Sequence, residues 1–236
     1  MRASAIIVAA GSGSRLGRAE PKAFVELAGH TILHYSLAAA AQTAEVVEIV
    51  VTVPAGKEKL ARAEANSAAS DLPVKITAGG AARQDSVRIA LALTSAESDL
   101  VIVHDAARPL ANPDLFAACL AAAQRCGGAI AAIPVADTLK RVERDAITET
   151  IVRAGLWQAQ TPQAFRRAML VAAHERALRE RIAATDDADL VERMGTRVEV
   201  VQSALPNFKI TTAADLAMAE LILAARASAR SRRGQA

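Results

Sequence analysis

Five short, continuously apolar runs constrain this chain more than any other feature: SAIIVAA, VVEIVVTV, PVKITAG, DLVIVHD and GAIAAIPV. Apolar at successive positions rather than alternating, they carry the pattern of strands covered on both faces. Helical patterns fall between them: HTILHYSLAAAAQT, GKEKLARAEANSAAS, RQDSVRIALALTSA and NPDLFAACLAAAQRCGG. The last is the best defined, with Asn112 as N-cap, Pro113 in the first turn and glycines at its stop. Alternation of this kind predicts an α/β fold in three layers, with a mostly parallel sheet and right-handed crossovers. Ligands of such a sheet gather at the carboxyl ends of its strands.

The rhythm changes after Pro134. VADTLKRVERDAITETIVRAGLWQAQ is polar, rich in threonine and valine, and carries a turn signal at Arg144-Asp145, so a β-hairpin or arm is predicted over about 136–159. Such an excursion either lids a site or reaches a neighbouring subunit. Helical patterns then resume in QAFRRAMLVAAHERALRERI, TDDADLVERMG and AADLAMAELILAARA. At 236 residues, 52% hydrophobic and 22% charged, the chain suits one large domain. The expected organisation is a single domain over 1–226 with the arm inserted at about 136–159, followed by a flexible basic tail over 227–236.

Composition narrows the partners. A net charge of +3 and 3% aromatic residues argue against nucleic acid, which needs a stronger basic field and rings for base stacking. No apolar run approaches the roughly 18 residues that span a bilayer, and Ala5 to Ala10 is short for a signal segment. Cys119 and Cys126 lack metal or disulfide spacing, which suits a reducing, cytoplasmic compartment. His30, His34 and His174 share no metal-ligand spacing either.

The first apolar run opens onto the loop GSGSRLGRAEPK, with glycines at 11, 13 and 17 and the cations Arg15 and Lys22. Successive N–H groups of such a loop can face one concavity and hold phosphate. A dinucleotide fingerprint needs GxGxxG, and Leu16 occupies its third glycine position; a Walker A loop needs GxxxxGK followed by Ser or Thr, and that is absent. Two cations several residues apart suit an extended polyphosphate. A glycine-rich turn with solvated charges is the plainer alternative.

The loop resembles the signature G-x-G-x-R-[ML]-G…P-K of nucleotidyltransferases that activate sugar or polyol phosphates. GGAARQDSVRIAL, VHDAARPL, ADTLKRV, RAGLWQAQTPQAF, TDDADLVE and NFKITTAADL follow in order. Together they are similar to the 2-C-methyl-D-erythritol 4-phosphate cytidylyltransferase family, over residues 5 to 222. The resemblance implies a three-layer Rossmann-like nucleotidyltransferase fold whose β-arm completes the partner subunit's site in a homodimer. It also implies CTP and methylerythritol phosphate as substrates, with magnesium or another divalent cation as cofactor. A relative acting on ribitol 5-phosphate, or a silent nucleotide-binding protein on the same sheet, remain the alternatives.

That reaction needs no general base, because the attacking phosphate is already mostly ionised near neutral pH, its second pKa being about 6. The task is to bring two anions together and hold the charge of a five-coordinate phosphorus. By resemblance, Arg15 and Lys22 stabilise that charge, while Arg153 and Lys209 hold the acceptor phosphate in line, Arg153 from the other subunit's arm. Asp105, Arg108, Thr138 and Thr185 would bind the acceptor, and Asp105 is also the candidate metal ligand. Ala9, Ala10, Gly11, Gly13, Gly80, Ser86 and Ala106 would line the nucleotide pocket. Ala81 departs from the polar residue expected after Gly80.

Plainer readings accompany several of these residues. Lys209 would simply end a strand, and Asp105 and Arg108 would form a local ion pair. Asp186 and Asp187 read as first-turn charges of a helix capped by Thr185. His104 reads as a packed strand-end residue, and Trp157 as arm or interface packing.

Overall fold

The computed structural model describes residues 1–11, 20–203 and 206–233, with side chains to residue 229. The five apolar runs form β1 (Ala3–Val8), β4 (Val46–Val53), β5 (Val74–Ala78), β6 (Leu100–Asp105) and β7 (Gly128–Pro134). Two-residue strands β2 (Glu26–Leu27) and β3 (His30–Thr31) make a small ribbon after the first loop. The four predicted helices are α1 (Ile32–Ala41), α2 (Glu58–Ala68), α3 (Arg83–Leu93) and α4 (Pro113–Cys126). Asn112 caps α4, its Oδ1 accepting from Leu115 N at 3.1 Å, and Gly127 ends it at φ 101°.

The hairpin is present as β8 (Leu139–Glu143) and β9 (Ala146–Ile151), which pair with each other as a separate two-stranded sheet. Its turn residues Arg144 and Asp145 both take positive φ, 47° and 63°, as a two-residue hairpin turn matched to strand twist requires. Beyond it the structure departs from the sequence pattern. Trp157–Arg166 is a long strand, β10, so QAF of the predicted helix is sheet, and α5 spans only Arg167–Glu180. Helix α6 (Asp187–Glu192) follows, then an unexpected strand β11 (Val198–Gln202), then α7 (Ala213–Arg233). Residues 227–233, expected as a flexible tail, continue α7.

The main sheet has seven strands in the order β11-β7-β10-β6-β1-β4-β5. All neighbours pair in parallel except β10, which runs antiparallel between β6 and β7. Successive side chains of a strand point to opposite faces, and the core divides accordingly. Ile7, Ile49, Val51 and Ile102 pack with Leu33, Leu37, Phe116 and Leu120 of α1 and α4. Ile6, Val50, Val101 and Val103 pack with Val87, Leu170 and Val191 of α3, α5 and α6. Burial on both faces is why β1, β4, β6 and β7 read as largely apolar runs; β5, expected to be covered likewise, is an edge strand, half-buried with Lys75 exposed. The third cluster seats Leu216 and Ala219 of α7 against Val25, Leu27 and Ile32.

Candidate functional site

Strands β1, β4, β5 and β6 end together on one edge of the sheet, and two adjoining cavities open there. The larger, about 440 Å³, is lined by Ala9, Ala10 and Gly11 after β1, Lys22, Gly80 and Ser86, and Ala106 after β6. Small residues let the β1 loop and the β5–α3 turn approach closely. A Cβ on Gly79 would lie 2.3 Å from the Cβ of Ala10 and 2.7 Å from Ser86 Oγ, distances that only glycine allows. Ser86 is buried and spends its hydroxyl on this turn, accepting from Gly80 N and donating to Ala82 O, each at 3.1 Å.

The smaller cavity, about 270 Å³, is lined by Arg108, Gln160, Thr161, Gln163, Thr185 and Asp186. Arg83, Asp105 and Lys209 line both cavities and form the wall between them. Arg83 Nε donates to Asp105 Oδ1 at 2.9 Å, and Lys209 Nζ donates to Asp105 Oδ2 at 2.7 Å. Burial alone would raise the Asp105 carboxyl, but Arg83 and Lys209 outweigh it and hold the group well below the usual carboxylate range. Lys22 Nζ donates to Ile210 O at 2.9 Å, so the first loop's lysine reaches the segment that carries Lys209.

The strand end behind Asp105 is held by a neutral imidazole. His104 Nε2 is 3.1 Å from Arg108 O, an acceptor only, so this nitrogen carries the proton; Nδ1 then accepts from Thr161 Oγ1 at 3.1 Å. Thr161 Oγ1 in turn accepts from Asp105 N at 3.0 Å. Burial dominates the titration of His104, pulling its pKa down to about 4. His104 is thus the packed strand-end residue expected. Arg108 does not pair with Asp105 by hydrogen bond; its Nη1 donates to Asn207 O at 2.8 Å, and burial lowers its pKa. Asn207 Nδ2 donates to Gln160 Oε1 and Thr161 O, each at 2.9 Å, tying the irregular segment before Lys209 to β10.

Three expectations need correction. Lys209 lies in irregular backbone rather than at a strand end. The cap of α6 is Asp186, whose Oδ1 accepts from Asp189 N at 2.9 Å, not Thr185; the Thr185 side chain faces the smaller cavity with the cap made by its neighbour. Asp187 is no surface first-turn charge: its side chain is 1% exposed, accepts from Arg83 Nη1 at 2.7 Å and lies 3.0 Å from His174 Nε2. Burial pushes the Asp187 carboxyl up, and Arg83 and His174 more than offset that.

Thr138 and Arg153 are exposed on the arm and line neither cavity. Arg15 and Gly13 lie outside the described residues. Among the described residues no three His, Cys, Asp or Glu side chains form a group that could hold a metal ion. Among the described residues Asp105 is the one carboxylate lining the larger cavity, and both its oxygens already receive cations. That donor set suits a magnesium ion carried chiefly by phosphate oxygens and water, with a single protein carboxylate, rather than a dedicated cage.

A family model described as IspD, 2-C-methyl-D-erythritol 4-phosphate cytidylyltransferase, matches residues 3–225. The chain belongs to the IspD family. A Deinococcus radiodurans protein named 2-C-methyl-D-erythritol 4-phosphate cytidylyltransferase is 46% identical over 221 residues, covering 94% of this chain and 89% of the relative. A crystal structure of the Thermus thermophilus cytidylyltransferase of that name aligns at TM-score 0.78 and 36% identity, over 92% of this chain and 97% of the other. The 4-diphosphocytidyl-2C-methyl-D-erythritol synthase of Anaerococcus prevotii aligns at TM-score 0.83 and 29% identity, over 94% and 96%. The architecture is the Rossmann-like nucleotidyltransferase fold of the IspD structures. Within this IspD site, Arg83, Gly79 and Asn207 were not singled out from sequence. Arg83 lies in the quoted motif GGAARQDSVRIAL, yet only the fold brings it to Asp105 and Asp187.

Proposed function

We infer that the paired cavities transfer a cytidylyl group from CTP to 2-C-methyl-D-erythritol 4-phosphate, giving 4-diphosphocytidyl-2-C-methyl-D-erythritol and pyrophosphate for non-mevalonate isoprenoid synthesis. The observation that carries this reading, beyond family membership, is the shared wall of Arg83, Asp105 and Lys209. It puts a compartment lined by small residues directly against one lined by hydrogen-bonding side chains. CTP occupies the first and the polyol phosphate the second.

A phosphate oxygen of the acceptor forms a bond to the α-phosphorus of CTP as the bond to the bridging oxygen breaks, and pyrophosphate carries away that electron pair. No side chain removes a proton, since the nucleophile is an anion. Arg15 and Lys22 hold charge that builds on the α-phosphate and the leaving group. Lys209 aligns the acceptor phosphate, and Arg108 and Thr185 bind the rest of it. Magnesium, held by Asp105 and by phosphate oxygens, would neutralise the triphosphate and polarise its phosphorus.

The arm extends the proposal to a homodimer. Val142, Ile147 and Val152 are 55%, 64% and 78% exposed, an apolar content that a partner subunit would cover. Thr138 and Arg153 would then complete the partner's acceptor pocket. A cytoplasmic setting belongs to the same reading, in keeping with the free thiols of Cys119 and Cys126; among the described residues no helix is long and apolar enough to cross a membrane.

The test is pyrophosphate release by the purified protein from CTP and magnesium, with methylerythritol phosphate and with ribitol 5-phosphate as separate acceptors. Turnover is expected with the first. The names of the relatives favour it over ribitol phosphate, and a preference for ribitol phosphate would sink the assignment.

A further inference from the structure

Resting on the functional reading above, we propose that Arg83 is a positioning residue: its guanidinium locks Asp105 to the buried Asp187, and so fixes where Lys209 presents its ammonium between the two cavities. The argument is geometric. Lys209 sits in irregular backbone, without a ladder of strand hydrogen bonds to aim its long side chain. The contact that aims the ammonium is the 2.7 Å bond to Asp105 Oδ2. Asp105 can serve as an anchor only if its own carboxylate is fixed, and Arg83 Nε fixes the other oxygen at 2.9 Å.

Arg83 is itself held from behind. Its Nη1 donates to Asp187 Oδ2 at 2.7 Å, and Asp187 Oδ1 lies 3.0 Å from Nε2 of His174 on α5, a residue only 2% exposed. The chain of contacts runs from the helical layer, through α6 and the first residue of α3, to the tip of β6 and on to Lys209. A guanidinium is a planar fork that can hold two carboxylates at fixed angles; an ammonium is a point charge on a flexible stem and cannot. The remaining nitrogen, Nη2, is buried and has no hydrogen-bond partner among the described residues, so the fork is built around these two acids.

Arg83→Lys keeps the charge and loses the fork. The expected result is a fall of about tenfold to a hundredfold in kcat/KM for the acceptor, carried by both a higher acceptor KM and a lower kcat, with the KM for CTP little changed. Thermal melting run in parallel measures the folded fraction and separates this from loss of structure. In an Asp105→Asn background Arg83→Lys is expected to add no further loss, because its effect runs through Asp105. Asp187→Asn, close in shape, removes the outer anchor and serves if Arg83→Lys does not fold; it is expected to raise the acceptor KM in the same direction. An active wild type alongside Arg83→Lys or Asp187→Asn enzymes with unchanged constants would overturn the inference alone, as would losses that add in full with Asp105→Asn. A folded wild type that releases no pyrophosphate from these substrates would overturn the functional reading, and the inference with it.

Discussion

Lys22 and Ile210, 188 positions apart in the chain, are joined by a 2.9 Å hydrogen bond from the Lys22 ammonium to the Ile210 carbonyl. The lysine assigned to the departing pyrophosphate therefore also steadies the segment bearing Lys209, which is assigned to the incoming phosphate. Replacing Lys22 with alanine should cut pyrophosphate release by about a hundredfold to a thousandfold, the usual effect of losing one preorganised charge contact. The melting temperature should move little. A pyrophosphate-coupled assay beside a thermal melt checks this, and near-normal turnover would remove Lys22 from the reaction.

Gly79 offers a steric prediction. An added methyl would meet Ala10 Cβ at 2.3 Å, so Gly79→Ala must push the β5–α3 turn away from the β1 loop. Overpacking of this kind costs about 1–3 kcal/mol. Because the displaced turn lines the larger cavity, CTP affinity should fall along with stability. Calorimetric titration with CTP measures the first and denaturant unfolding the second; intact affinity would show that the nucleotide lies elsewhere.

His104 predicts a pH dependence. Its folded pKa lies near 4, against an ordinary value of about 6.5 in the unfolded chain. As pH falls through 6.5 the unfolded chain takes up a proton that the folded chain refuses, so acidification favours unfolding until the folded pKa is reached. The contribution is fully present above about pH 6.5 and shrinks by about 2 kcal/mol at pH 5. Unfolding measured from pH 7 to pH 5 should show this slope, and His104→Gln should flatten it. An equally steep slope in the variant would assign it to other groups.

Mixing two inactive variants tests the arm. Arg153→Ala and Lys209→Ala should each lose acceptor binding. If Arg153 serves the neighbouring subunit, a mixed dimer regains one complete site, formed by the pocket of the Arg153→Ala chain and the arm of the Lys209→Ala chain. Co-refolded mixtures should recover pyrophosphate release; recovery would not occur if both residues served the same subunit.

Much of this architecture was legible because burial on both faces leaves a local trace. The strands β1, β4, β6 and β7 are largely apolar runs, whereas β5 is a half-buried edge strand legible only from Val74, Ile76 and its flanking turns; α4 carries its own cap and stop, and Arg144-Asp145 marks the hairpin turn. Strand β10 left no such trace. Its Gln160, Thr161 and Gln163 are buried but satisfied by partners such as Asn207, His104 and Asp186, so polar letters stand where a core strand would show apolar ones. Strand β11 is a half-exposed edge, with Val200 47% exposed. At the site, Ala9, Ala10, Gly11, Gly80, Ser86 and Ala106, expected together from the sequence, line the larger cavity. The role of Arg83 could not be read there, because its second carboxylate partner lies 104 residues away.

The insertion of β10 between β6 and β7 also decides how the hairpin is mounted. The chain leaves the sheet at the end of β7 and re-enters it at Trp157, which pairs with Pro134, while Val135 N bonds Leu156 O at 3.0 Å. Both feet thus stand on neighbouring strands, and the projection behaves as a mast stepped into a deck rather than a flag on a rope. Its tip can tolerate residues added or removed, but altering the length of either foot would swing the whole spar and carry its side chains off target.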